Sequence, residues 1–291
     1  MLPILGIVVV FAAVIGGFFM EDGKLVPLLQ PSELLIICGA AMGTMVTANP
    51  WPFLQRLTRR ILLVFRGPPL DRDFYLATLI MLHSVFTFAR RNGMAKLEDA
   101  MEDPRHSGIM TRHAAVLRDP AIATFVCDTL LMTSLGSIPP RDIDRMLEND
   151  IEVRRNGIES QVRSLVTLAD SLPGFGIVAA VLGVIITMGG LRESPQAIGL
   201  KVATALAGTF LGILLSYGVV GPLASNLESI GQEEAQYYET LRIALTAFAW
   251  GMPPSIAVEC ARRNIPPENR PDFAQMEKAC KSGQLTRVQA A

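Results

Sequence analysis

The sequence predicts an all-α integral membrane protein. It has four transmembrane helices, a helical cytoplasmic insert between helices two and three, and helices three and four extended into the cytosol. Three observations carry this reading. Residues 1–20, 34–55, 171–191 and 202–227 contain no charged side chain, and each run is about 20 residues or longer, enough to cross the hydrocarbon core as a helix. Only 18% of the chain is charged, against about a quarter in ordinary soluble proteins. Basic residues are heavily skewed, with 16 between 56 and 170 and seven after 228.

The first run could be taken for a secretory leader. It has no basic start, and Glu21-Asp22 stand where small residues would mark a cleavage site, so it reads as a retained membrane helix. Lys24 is the sole basic residue between helices one and two, and Arg192 and Lys201 are the two between helices three and four. Arg56, Arg59, Arg60 and Arg66 come directly after the second run. Positive charge stays on the cytoplasmic side, so the middle segment, the C-terminal tail and the N-terminus are all expected there. The expected parts are a membrane hairpin at 1–55, an insert at 56–170, a second hairpin at 171–227 and a C-terminal helix and tail at 228–291.

Within the insert, "DFYLATLIMLHSVFTFARRNG" places Leu76, Leu79, Leu82 and Phe86 three or four residues apart, the period of a helix with one buried face. Gly93 is its expected stop. "KLEDAMED" reads as a short helix ended near Pro104, and "PAIATFVCDTLLMTSLG" as another ended at Gly136. Pro139-Pro140 opens a long pattern with Ile143, Met146, Ile151, Ile158, Val162 and Leu165 on one face. It runs almost unbroken into helix three, with Gly157 its weak point. Helix four is expected to continue past the membrane to Gly251. Residues from about 278 to 291 read as a disordered polar tail.

The stretch "LPGFGIVAAVLGVII" contains Gly174, Gly176 and Ala179, a G-x-G-x-x-A pattern. A dinucleotide turn needs a strand before the glycines and a soluble helix after them. Here "RSLVTLADS" before the glycines is charged and the run after them is apolar, so the glycines instead suit close helix contact in lipid. Helix four repeats the theme with Gly208 and Gly212 in "GTFLG", while helices one and two are bulkier and suit lipid. Pro173 and Pro222 fall at the same cytoplasmic depth of helices three and four. Pro222 has no donor for the Gly218 carbonyl and favours a kink there. Pro173 alone could be a first-turn proline behind Asp170 or Ser171.

Apart from the Cys38 thiol, Tyr217 is the sole ionisable side chain within the four charge-free runs, so an ion path made of this chain alone would lack the titrating site usual in proton relays. Thr187, Thr204, Thr209 and Ser216 supply hydroxyls, which in membrane helices commonly bond their own backbone. The net charge of −1 gives no reason to expect nucleic acid. Cys38, Cys127, Cys260 and Cys280 have no metal or redox spacing, and His106 and His113 have no ligand cluster beside them. Catalytic and metal-binding residues are therefore not expected.

"DSLPGFGIVAAVLGVI", "LAGTFLGILLSYGVVGPLA", "RNGMAKLE" and "PPSIAVE" resemble the MotA family, the larger stator subunits of the bacterial flagellar motor, within the MotA/TolQ/ExbB proton channel family. The resemblance spans nearly the whole chain. It implies a pentamer around a dimer of MotB, which would bring the membrane carboxylate. It also implies proton flow without a cofactor, torque on the rotor protein FliG, and a place in the bacterial inner membrane with both termini cytoplasmic. By matching positions, Arg90 and Glu98 would make the rotor contact, although the residues alone read as a solvated helix end. Pro173 and Pro222 would be the channel prolines. Sodium-driven relatives carry threonine seven residues after the first of these, where this chain has Ala180. An alanine gives sodium no oxygen ligand and favours protons, while Thr209 matches a pore-facing hydroxyl and leaves a sodium path open. Gly174 departs from the alanine of many relatives and would loosen the first turn of helix three. The rival readings are a TolQ- or ExbB-like energising subunit of an envelope transport system, a sodium-driven stator, and a static membrane scaffold.

Overall fold

The computed structural model describes residues 2–23, 28, 30–65, 70–103, 106–113, 116, 118–188 and 194–282. Among the described residues it is helical, without a strand. The helices are α1 (Leu2–Met20), α2 (Pro31–Ala48), α3 (Trp51–Val64), α4 (Arg72–Asn92), α5 (Met94–Glu102), α6 (Pro120–Ser134), α7 (Pro140–Met188), α8 (Pro195–Leu215), α9 (Gly221–Ala249), α10 (Pro254–Asn264) and α11 (Phe273–Ser282). A π-helical turn, Ser216–Val220, joins α8 to α9. Four of these rods are long and apolar enough to span a bilayer: α1, α2, α7, and the run Ile198–Ala249. The chain divides into two compact units, residues 1–68 with 156–231, and residues 69–155 with 232–291.

The first unit contains the membrane helices. No residue of α1 is buried, which suits a helix whose neighbour is lipid. The charge-free run 34–55 is shared between two helices, because Asn49 and Pro50 leave helical geometry and α3 starts afresh at Trp51. The α3 helix is amphipathic. Leu57 and Val64 are buried with Ile158, Val162, Leu165, Ala224 and Leu227, while Arg56 and Arg59 are exposed. The Ser164 hydroxyl donates to the Asn49 side-chain oxygen at 3.1 Å, tying the start of this corner to α7. Helix two also begins earlier than its apolar run, at Pro31, and so takes in Glu33. That corrects the expectation of spans free of ionisable groups other than Cys38 and Tyr217, and Lys201 likewise lies within α8.

The second unit is a helical bundle. Leu76, Leu79, Leu82 and Phe86 are all fully buried, as their spacing predicts, and meet Leu130, Tyr237, Leu241 and Leu245. The rings of Phe86 and Phe248 stack at 4.3 Å, and the hydroxyls of Thr78 and Tyr237 share a hydrogen bond of 3.0 Å. Asp71 caps α4 by accepting from the Phe74 amide, and Asp119 caps α6 by accepting from Ala121, which satisfies two of the free donors every helix start leaves. Gly93 ends α4 with φ of +88°, a conformation that costs glycine little. The expected disordered tail is shortened: Lys278 to Ser282 belong to α11, whose Met276 and Ala279 are buried. Residues 283–291 lie outside the described residues.

An ion-pair cluster fixes α10. Glu259 accepts from Arg262 at 2.7 and 2.8 Å and from Arg263 at 2.9 Å. The Arg262 guanidinium, helped by Arg263, holds the Glu259 carboxyl at about 2. A carboxyl with a lowered folded-state value stabilises the fold above its ordinary value of 4.5 and loses that contribution as pH falls toward about 2. Glu259→Gln is expected to destabilise the solubilised protein by about 2 kcal/mol at neutral pH. The difference from the unmodified chain should shrink across that acid window. Thermal unfolding followed at several pH values checks this, and a gap independent of pH would count against it.

Candidate membrane crevice and charged site

Two arrangements of functional side chains stand out, one in each unit. In the membrane unit, α7 and α8 meet through glycine. A Cβ placed on Gly176 would sit 2.7 Å from the Gly208 carbonyl oxygen and 3.2 Å from the Gly212 Cα. One placed on Gly212 would sit 2.6 Å from the Leu172 carbonyl oxygen and 3.0 Å from the Gly176 Cα. The glycines of both sequence patterns therefore meet backbone to backbone, the contact that small residues permit in lipid. Pro173, Ala180 and Thr209 flank this seam and are each half-buried. Pro173 lies inside the 49-residue α7 helix, so it is not a first-turn proline. Gly174 likewise has regular helix on both sides, so it loosens no first turn.

Pro222 is exposed and comes just after the π turn. Within that turn the Gly221 amide donates to the Ser216 carbonyl, five residues back. In a regular α-helix a proline ring collides with the carbonyl four residues before it, and a wide turn is one of the recognised local solutions. Thr187 and Thr204 bond back to the carbonyls of Gly183 and Lys201, both at 2.8 Å, as membrane hydroxyls commonly do. Ser216 differs. It is buried and donates across to the Ala169 carbonyl of α7 at 2.7 Å. The sequence marks the π turn only through Gly218, Gly221 and Pro222, and nothing in it singles out Ser216.

Glu33 is the residue that composition alone hides, because it stands just before the charge-free run. It is 6% exposed, and its Oε2 has no hydrogen-bond partner. Its carboxyl occupies the space beside Gly208, where a Cβ would meet both carboxyl oxygen Oε2 and the Ala179 Cβ.

In the second unit, Arg90 lies in the last turn of α4 and is exposed. Its guanidinium donates to the Gly251 carbonyl, just past the end of α9, where helix carbonyls lack internal donors. Glu98 on α5 is half-buried, and the Ser134 hydroxyl approaches its Oε2 at 3.5 Å. The two expected contact residues thus bind different neighbours rather than each other. An open groove of about 610 Å³ lies against the same helix pair, with Phe88 and Ile109 as apolar lining and Lys96, Asp99 and Arg112 as charged lining. No sequence pattern picks out this groove. Among the described residues no three His, Cys, Asp or Glu side chains come together as metal ligands would.

The family described as "Motility protein A N-terminal" matches residues 4–93, and the "MotA/TolQ/ExbB proton channel family" matches residues 121–240. Motility protein A of Escherichia coli strain K12 is 34% identical over 278 residues, which is 96% of this chain and 94% of that relative. The chain belongs to the MotA family. Chemotaxis protein LafT of Vibrio parahaemolyticus is likewise 34% identical over 274 residues, 94% of this chain and 96% of its own length. Two solved MotA-containing structures share the fold. MotAB of C. jejuni has a TM-score of 0.74 at 20% identity, covering 91% of this chain and 96% of that one. The flagellar MotAB stator complex of Bacillus subtilis has a TM-score of 0.74 at 20% identity, covering 92% and 96%. MotA is a family of membrane-spanning stator ion-channel subunits, and the chain is accordingly a stator subunit and not an enzyme. The N-terminal match also sets it apart from the TolQ- and ExbB-like alternative.

Proposed function

We propose that the chain conducts protons together with a MotB-type partner in the bacterial inner membrane and converts that flow into torque on a FliG-type rotor. The observation that carries this is the end-to-end likeness to Motility protein A. Five copies would surround a partner dimer. The glycine seam of α7 and α8, with Pro173 and Pro222 shaping its cytoplasmic end, would form the wall past which the partner's carboxylate loads and unloads. Arg90 and Glu98 would face the rotor, with the insert and both termini in the cytosol. No cofactor enters the scheme. Ala180 offers no oxygen to a sodium ion, which supports protons, and Thr209 is the residue to suspect if sodium proves to be the coupling ion.

The test is restoration of swimming. The chain, expressed with its MotB-type partner in a strain lacking its stator genes, should restore rotation. Speed should be unchanged when external sodium is removed at fixed pH, and should collapse on adding a protonophore. Speed that collapses without sodium and survives the protonophore would refute proton coupling while leaving the stator role intact. Absence of any rotation, with both proteins present in the membrane, would count against torque generation. Orientation has its own check: a reporter fused at Gly93 should behave as cytoplasmic and one at Gly23 as external.

A further inference from the structure

Glu33 is a carboxyl that the proposed scheme does not use. It lies at the third position of α2, behind Pro31 and Ser32. Acidic residues are common in a first turn, where they offset the helix dipole or reach back to the capping amide. Glu33 stands in that first turn but makes no capping bond. The start of α2 has no side-chain cap, and the side chain is 94% removed from solvent, with Oε2 unpartnered. It is turned into the crevice between α7 and α8. Oε1 lies 3.8 Å from where a Cβ on Gly183 would be, and Ala205 and Ala179 complete the apolar surroundings.

Among the described residues, the membrane helices around Glu33 place no counter-charge against its carboxyl. Residues 171–188 of α7 hold no ionisable side chain, nor does α1. The charged residue of α8 is Lys201, seven positions from Gly208 and four from Ala205, about two turns and one turn along the helix. A bare carboxylate is costly in such a place and a carboxylic acid much less so. The nearby backbone belongs to helices that already use their carbonyls, so a sodium ion would find few free oxygens, whereas a proton needs one. Gly183 and Gly208 provide the room: any side chain at 208 would displace the carboxyl.

We propose that Glu33 is a proton-binding site of this chain, taking up and releasing a proton from the outer side of the membrane during conduction. This rests on the stator reading for its orientation and purpose. Uptake forms one O–H bond at the carboxyl from a hydrated proton. Release breaks that bond and returns the proton to water, from which the partner's carboxylate can take it, and no electrons move.

The experiment uses the purified complex with its MotB-type partner in lipid vesicles, with two readouts: pH-difference infrared spectra of the protonated-carboxyl C=O band, and vesicle proton uptake. Glu33→Gln should assemble, lose one component of the band and reduce uptake severalfold. Glu33→Asp should keep a titrating component, shifted from its original position, and recover part of the uptake. Gly208→Ala, which crowds the carboxyl, should move the same component without changing the net charge. An unchanged spectrum in both Glu33 variants, whatever the flux, overturns the proposal, as does unchanged uptake in Glu33→Gln. A component that moves with sodium at fixed pH overturns it in favour of a carboxylate cation site. Neither readout depends on motility, so a wild-type complex that turns no motor weighs against the stator reading and not against this site.

Discussion

Gly212→Val should abolish rotation and loosen the membrane unit. At this position even one added carbon would meet the Leu172 carbonyl oxygen and the Gly176 Cα, and neither is the end of a flexible side chain that could swing away. Relief requires α7 and α8 to move apart along the whole seam, and overpacking of this kind costs about 3 kcal/mol. Separation would also strain the Ser216 bond to the Ala169 carbonyl. Loss should show as lower thermal stability of the solubilised complex and as failure to swim. Gly199→Val is the control, since nothing lies within 4 Å of a Cβ there. Equal stability of the two variants would show that the seam does not hold the unit together.

The double reversal Arg90→Glu/Glu98→Lys should stop swimming while membrane levels of the protein stay normal. Arg90 is exposed and Glu98 half-buried, so an individual contact with a rotor charge contributes about 1 kcal/mol or less. Single neutralisations should therefore be mild, and the double change should turn two attractions into two repulsions. Arg90→Glu also removes the donor to the Gly251 carbonyl. Arg90→Lys separates the effects, because it retains the charge but not the forked geometry. Recovery of swimming by opposite reversals in the rotor would confirm the contact. Normal speed of the double variant against an unaltered rotor would remove both residues from the torque site.

Much of the fold is legible in the sequence because membrane physics leaves few choices. Length and absence of charge mark α1, α7 and α8, and the three-and-four spacing of Leu76 to Phe86 marks α4. The glycine seam is legible too, since small residues on two neighbouring membrane helices have few other uses. The features that escape do so for identifiable reasons. Searching for charge-free runs excludes Glu33 by construction, because a buried carboxyl interrupts the run it belongs to. The α3 helix merges with the second span because Asn49 and Pro50 are uncharged and so do not register as an ending. A helical period is present in Phe53, Leu57, Ile61 and Val64, but the end of the charge-free run at Gln55 divides it. The proposed rotor pair, Arg90 and Glu98, can be suggested only through family likeness, since an arginine and a glutamate near a helix end are ordinary surface residues by spacing alone.

The π turn at Ser216–Val220 means that the chain carries one spare residue partway along its last membrane rod. A wide turn holds one amino acid more than the α turn it replaces. Deleting a residue elsewhere between Gly212 and Leu227 would rotate everything downstream by about 100°, swinging Leu227 and Ile230 off their buried face. A deletion within 216–220 would leave that face aligned, but it would press the Pro222 ring against the preceding turn. The surplus residue and the proline therefore constrain each other, and the deletion should become tolerable only when Pro222 is replaced as well. Shortening of this rod in evolution would be expected to take both changes together.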